Sequence, residues 1–162
     1  MPGAAQAVWE AFCRAAQVTD ARFVVASFGD SAKMADALLE LVLCGAKRAT
    51  ATLAREFDRP GGDPLPRPGD YVVWLGGSGR PRCITRTTNV EVKPLSQVDD
   101  AFAFAEGEGD RTRAFWLAAH RDYFARRLAR EGLALHDDVL TVFERFAVVW
   151  VADGARPGEG AR

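Results

Sequence analysis

Polar and apolar positions along this chain alternate between a helical and a strand period. From Ala4 to Ala16 the apolar residues Val8, Trp9, Phe12 and Cys13 recur on one face of an Ala-rich helix. A second helix follows Asp30 or Ser31, either of which can cap it. Its apolar stripe is Met34, Ala37, Leu38, Leu41 and Val42, and Gly45 is a natural terminator. Lys47 to Leu53 is short and rich in Thr and Ala, and the pattern predicts an extended segment. Tyr71–Leu75 and Arg82–Lys93 read as strands joined by the Gly76–Gly79 turn. Asp99–Glu106 is predicted as a short helix, and Asp110 as the cap of a longer one running to about Arg130. Val139–Val151 closes the pattern as an alternating strand.

Strands that are far apart in sequence must pair non-locally. The predicted class is therefore α+β: a small mixed, mostly antiparallel sheet or barrel flanked by helices. The stretch Asp58–Asp70 holds four prolines and three glycines, so it is an irregular loop, of the kind that often binds or covers a ligand. Gly76-Gly77-Ser78-Gly79 lies between two strand patterns with no Gly-Lys-Ser/Thr, which makes it a turn and not a phosphate loop. The Gly- and Arg-rich end, Gly154–Arg162, reads as disordered.

Composition narrows the classes. The chain has 162 residues, 48% hydrophobic and 27% charged, the proportions of a globular domain. No apolar run is long enough to span a bilayer, and the first residues lack an export signal, so a cytoplasmic protein without membrane contact is expected. The net charge of −1 rules out a chain-wide basic field, so any anion site must be local. Cys13, Cys44 and Cys83 are widely spaced and accompanied by two histidines, which suggests neither a disulfide framework nor a zinc site.

Several groups stand out as candidate chemistry. Lys47, Arg48 and Thr50 place an ammonium, a guanidinium and a hydroxyl just after a helix end, either as site chemistry or, as the residues alone favour, as a solvated loop with two surface charges. On an extended strand, Lys47 and Thr50 fall on opposite faces, so they share a site only if the chain turns between them. Glu106, Glu108 and Asp110 crowd three carboxylates among glycines, either as a setting that raises carboxyl pKa values and suits proton transfer or, as the residues alone favour, as an N-cap at Asp110 and two solvated loop charges. Trp116, His120, Tyr123, Phe124 and Arg127 share one face of the long helix, either as core or as a surface that stacks a base. Glu144 interrupts the apolar row Leu140, Val142, Phe146, Val148 and Trp150, so it is either ion-paired to an Arg or part of a site.

These segments, in this order, resemble the longer bacterial branch of the ASCH domain family, whose fold is PUA-like. Gly45-Ala46-Lys47-Arg48-Ala49-Thr50 is similar to its GxKxxT motif, and Leu65–Asp70 to its proline-rich approach to a strand. Ala105–Asp110, Trp116 with His120 and Phe124, and Phe143-Glu144-Arg145-Phe146 resemble the remaining blocks, over about Ser27 to Val149. The resemblance divides the chain into an N-terminal helical extension at 1–26, the ASCH domain at 27–151 and a tail at 152–162.

The resemblance implies a cleft for RNA or a modified nucleoside. Short family members are amidohydrolases of acetylcytidine that use a Lys and a Thr of GxKxxT and a downstream Glu. Those roles fall on Lys47 and Thr50, with Glu108 favoured over Glu106 for the third. Arg48, Glu106, Asp110, Trp116, His120, Glu144 and Arg145 are then expected around the substrate, with no cofactor. A longer member is a ribonuclease, so the alternatives are phosphodiester hydrolysis, with a divalent metal at Glu106 or Asp110, and binding of RNA or a nucleotide without turnover. Leu117 replaces an Arg of the usual longer pattern, which removes one positive charge near the cleft, and Ala147 replaces a Glu.

Overall fold

A computed structural model describes residues 3–152. The tail expected at Gly154–Arg162 lies outside the described residues. The helices are α1 (Ala4–Ala16), α2 (Ala32–Cys44), α3 (Asp100–Glu106) and α4 (Arg113–Ala129). The strands are β1 (Phe23–Ala26), β2 (Ala49–Leu53), β3 (Tyr71–Leu75), β4 (Pro81–Pro94) and β5 (Leu140–Val151). They form one sheet in the order β1-β3-β4-β5-β2, antiparallel except for the parallel β1–β3 pair. The fold is thus α+β with an open, mostly antiparallel sheet. The β1 strand was not expected: Phe23-Val24-Val25-Ala26 is too short to show a period, and only its pairing with Tyr71–Trp74 defines it.

The helices bury their apolar faces on the sheet and on each other. On one side, Trp9 and Phe12 of α1 pack with Val73 and Ile84. Phe102, Trp116, Leu117 and Phe124 of α3 and α4 gather with Leu53 and Phe143 in a second cluster. A third holds Leu39 and Val42 of α2 with Phe28, Val72, Trp74 and Phe146. Within α2 the innermost residues are Ala35, Leu39 and Val42, whereas Met34, Leu38 and Leu41 are half-buried and Ala37 is exposed. The apolar stripe read from the sequence is therefore split, with its Met34, Ala37, Leu38 and Leu41 side lining a cleft.

Two caps and one strand face also differ from expectation. Ser31, not Asp30, caps α2 by accepting from the Met34 N–H at 3.1 Å. Thr112, not Asp110, caps α4 by accepting from the Phe115 N–H, and Asp110 in turn accepts from the Thr112 N–H and hydroxyl. Along β5 the β4 register shifts between Ile84 and Thr85, a bulge at Val149. Beyond it Val149 and Trp150 both join the α1 cluster, so the row carrying Glu144 does not continue to Trp150.

Candidate functional site

The end of α2 steers Lys47 inward. Gly45 takes φ 96°, a left-handed conformation that glycine adopts without strain, and turns the chain off the helix. Backbone hydrogen bonds then fix the next residues: Lys47 N–H donates to the Leu41 carbonyl, Arg48 N–H to Ala105, and Phe146 N–H to Arg48. Lys47 before β2 and Thr50 within it nonetheless line the same cavity. At the end of α3, Gly107 (φ 74°) lies so close to the Ala46–Lys47 backbone that a Cβ there would collide with the Ala46 carbonyl. That close approach is what sets the acidic residues on either side of Gly107 against Lys47.

The Lys47 ammonium is buried, 1% exposed, and ion-paired with the equally buried Glu106. Glu108 Oε1 lies 3.5 Å from the same nitrogen, and its side chain is 21% exposed. His120 presents Nε2 at 3.5 Å from Glu106 Oε1. Its Nδ1 lies 2.9 Å from the Trp116 carbonyl, which accepts, so Nδ1 carries a proton. The imidazole stacks on the Trp116 ring with centroids 3.8 Å apart. Burial pushes the Glu106 pKa up, but the Lys47 and His120 charges and the Lys47 hydrogen bond outweigh it and hold the carboxylate below its usual range. Glu108 goes the other way: burial and the Glu106 charge raise it more than Lys47 lowers it. Two neighbouring carboxylates are thereby driven toward different protonation states.

This cluster lines a cavity of about 1050 Å³. The sheet lines it as well. Thr50 of β2 and Glu144 of β5 are directly paired across the ladder and both line the cavity. Glu144 is 8% exposed, and no arginine pairs with it among the described residues; its Oε1 accepts from the Thr87 hydroxyl at 2.6 Å. Burial raises its pKa, aided by Asp70 and opposed by the Thr87 hydrogen bond. Phe28 and Trp74 form a parallel pair, 3.7 Å between centroids, with Trp74 Nε1 held by Thr85 and the Lys47 nitrogen 5.5 Å from the Phe28 ring centroid. The proline-rich loop supplies Gly62, Asp63, Pro64 and Pro66 to the cavity.

Of the residues expected at the site, Lys47, Thr50, Glu106, Glu108, His120 and Glu144 share this cavity. The structure takes the others elsewhere. Arg48 donates to the Val42 and Lys47 carbonyls, holding the free end of α2. Asp110 is exposed at the start of α4, where it braces Thr112. Trp116 is core, 2% exposed, edge-on to Phe102 and against Phe143. Arg145 places its guanidinium over Phe102, with centroid distance 5.5 Å, away from the cavity lining. Thr87 went unnoticed in sequence because a hydroxyl in a Thr-rich strand carries no signal until its partner across the sheet is known.

A metal reading can be tested against the same atoms. Glu106, Glu108 and His120 each offer a donor within 4.8 Å of the others, a plausible count for a divalent ion. The Lys47 ammonium already contacts Glu106 and approaches Glu108, so a second cation there meets a like charge at short range. Asp110, the other residue expected to hold a metal, is outside the cluster.

The sheet order and flanking helices define a PUA-like α+β domain. The ASCH domain family matches over residues 24–150, and the chain belongs to that family, whose fold is often linked to RNA binding. It is similar to the crystal structure of an ASCH domain from Lactobacillus crispatus JV V101, with 31% identity and TM-score 0.82 over 93% of this chain and 96% of that one. A protein from Enterococcus faecalis V583 is also similar, with 30% identity and TM-score 0.83 over 98% and 96% of the two chains. No curated protein sequence matches significantly. Among the described residues, no helix is long and apolar enough to cross a membrane.

Proposed function

We propose that the cavity is a hydrolytic site for an acylated nucleobase such as acetylcytidine, with Lys47, Thr50 and Glu108 as its working groups. One observation carries this reading: a buried ammonium, a hydroxyl and a partly accessible carboxyl of raised pKa face one cavity. Ion pairing with Glu106 makes Lys47 a fixed positive charge, suited to stabilising the oxyanion that forms on the acyl carbonyl. Glu108 then carries the proton. It accepts one from the Thr50 hydroxyl, or from a water that Thr50 holds, as that oxygen attacks the acyl carbon. It returns the proton to the exocyclic nitrogen as the carbon–nitrogen bond breaks. Attack by water gives the free acid and the amine directly, and attack by Thr50 gives an acyl ester that water then cleaves.

The lining charges favour a small ligand over a long phosphate chain. Acidic side chains outnumber basic ones around the cavity. Three of its four arginines are already engaged, Arg127 and Arg59 with Glu56, and Arg126 with Asp30 and Asp122, which leaves Arg22 without an acidic partner among the described residues. Phosphate recognition needs basic groups that are free to replace counterions. The volume accommodates a nucleoside with its acyl group. The test is product analysis by mass spectrometry after incubation with acetylcytidine or a short unstructured RNA, each with and without EDTA. Release of cytidine, insensitive to EDTA and at least ~100-fold slower in Lys47→Ala, is the expected result. Shortened RNA, or acetylcytidine returned intact, overturns it.

A further inference from the structure

The proposed chemistry at Lys47, Thr50 and Glu108 leaves one cavity group without a task. Glu144 is buried in the sheet wall, and one of its oxygens is committed to the Thr87 hydroxyl. The other, Oε2, takes part in no hydrogen bond or ion pair among the described residues, and the residue lines the cavity. A carboxyl placed on a strand for packing alone would cost several kcal/mol of desolvation, which an apolar residue in this row avoids. Its neighbourhood does not favour a negative charge. From the turn before β3 comes Asp70, a like charge; from β4 comes Thr87; α2 gives the cavity only Met34, Ala37, Leu38 and Leu41. The cavity's ammonium, on Lys47, is held by Glu106 and Glu108, and His120 is turned to Glu106.

We propose that Glu144 is the base reader of the cavity, using its free oxygen as an O–H donor to an unprotonated ring nitrogen beside an exocyclic amine, and so selecting cytosine-type over uracil-type nucleosides. The inference rests on the acyl-nucleobase reading and extends it from reaction to substrate edge. In an N4-acylated cytosine, ring N3 and the acyl carbon are joined through C4 and N4, only three bonds apart. Residues that meet both atoms must therefore be neighbours. Thr50 and Glu144 are directly paired between β2 and β5, and such pairs bring Cβ atoms to about 4.5–5.5 Å. Uracil carries N–H at the same ring position and would confront the carboxyl O–H donor with donor. The Thr87 hydroxyl fixes which carboxyl oxygen is left for the base, because it donates to Oε1 alone.

Binding of cytidine and uridine by titration calorimetry separates the possibilities, with wild type, Glu144→Gln and Glu144→Ala measured from pH ~5.5 to ~9, where buried carboxyls titrate. The Gln amide is a permanently neutral stand-in: its oxygen can take the Thr87 hydrogen bond while its NH₂ donates to N3. The expected result is a preference for cytidine of about tenfold, the size of one good hydrogen bond. That preference weakens in wild type as the pH rises, persists without pH dependence in Glu144→Gln, and disappears in Glu144→Ala. A wild-type preference independent of pH, loss of preference in Glu144→Gln, or no discrimination in wild type each overturns the proposal. Its failure is distinct from that of the hydrolase reading. Cytidine-selective binding with acetylcytidine left intact keeps the reader and discards the reaction, and hydrolysis without that binding pattern does the reverse.

Discussion

Two carboxyls buried in the same cavity end up in opposite electrostatic situations. At the helical end, Glu106 meets the Lys47 ammonium and the His120 ring, and these hold it ionised despite complete burial. On the sheet wall, Glu144 meets a hydroxyl and the like charge of Asp70, and burial shifts it toward the neutral acid. Burial alone therefore does not fix the charge of a group; its neighbours do. The helical end is built as an ion cluster that keeps a positive charge fixed. The sheet wall is built as a hydrogen-bonding edge whose carboxyl is displaced toward the neutral acid. A ligand whose polarised acyl group adjoins its base edge suits both.

The comparison is broken most severely by removing one member of the ion cluster. Lys47→Ala leaves Glu106 ionised and buried, facing only His120, and a buried charge stripped of its partner costs about 3–5 kcal/mol of stability. Replacing both groups together, Lys47→Met with Glu106→Leu, removes the desolvation of both charges and is expected to recover most of that loss in urea unfolding. The double variant stays inactive toward acetylcytidine, because the fixed positive charge is gone. A Lys47→Ala protein within ~1 kcal/mol of wild type would mean that Glu106 does not depend on the ammonium. The corresponding change on the sheet wall, Glu144→Gln, removes no partner's charge and costs far less.

A smaller effect sharpens how the cluster is assembled. Gly107→Ala forces a left-handed conformation on a residue with a Cβ and drives that carbon into the Ala46 carbonyl. Strain of this kind costs on the order of 1–3 kcal/mol. It is relieved only if the end of α3 moves off the Lys47 loop, which carries Glu106 and Glu108 away from the ammonium. The thermal midpoint falls, and hydrolysis of acetylcytidine falls further than the stability loss explains. Gly61, also left-handed but with open space around it, is the control: Gly61→Ala bears the conformational cost without displacing the cluster.

What the sequence displays follows from the range of the interactions involved. Lys47, Thr50, Glu106 and Glu108 stand in short glycine-flanked blocks, so their grouping is legible in a line of residues. The family match over 24–150 agrees with the order of those blocks. The class of fold is legible too, because α1, α2, α4, β3, β4 and β5 each carry their own period or turn. The tasks of the arginines are not. Arg48 sits beside Lys47 in sequence, yet its guanidinium is taken by carbonyls at the end of α2. Arg145 neighbours Glu144 on β5 and points to Phe102 instead. Trp116 and His120, one helical turn apart, divide between core and cavity because the imidazole lies over the indole. Strand β1 and the Thr87–Glu144 bond depend wholly on partners distant in the chain.

The finest distinction between the two carboxyls is the sign of their pH dependence. Glu106 is depressed in the folded protein, so its ionisation favours the fold above the ordinary carboxylate pKa, and that contribution is lost as the pH falls through the lower folded value. Glu144 is raised. Its contribution is complete below the ordinary value and is lost as the pH rises through the higher folded one. Gln does not titrate, so the two substitutions must diverge. Measured against wild type by urea unfolding at a series of pH values, Glu106→Gln costs most near neutrality and progressively less in acid. Glu144→Gln is close to neutral in acid and becomes relatively stabilising as the pH rises. The second effect is smaller than either of the preceding ones, since one hydroxyl and no cation is at stake, but its slope is decisive. If both variants tracked wild type in the same direction, the two walls of the cavity would be electrostatically alike, and a neutral edge facing a fixed charge could not be the basis of its selectivity.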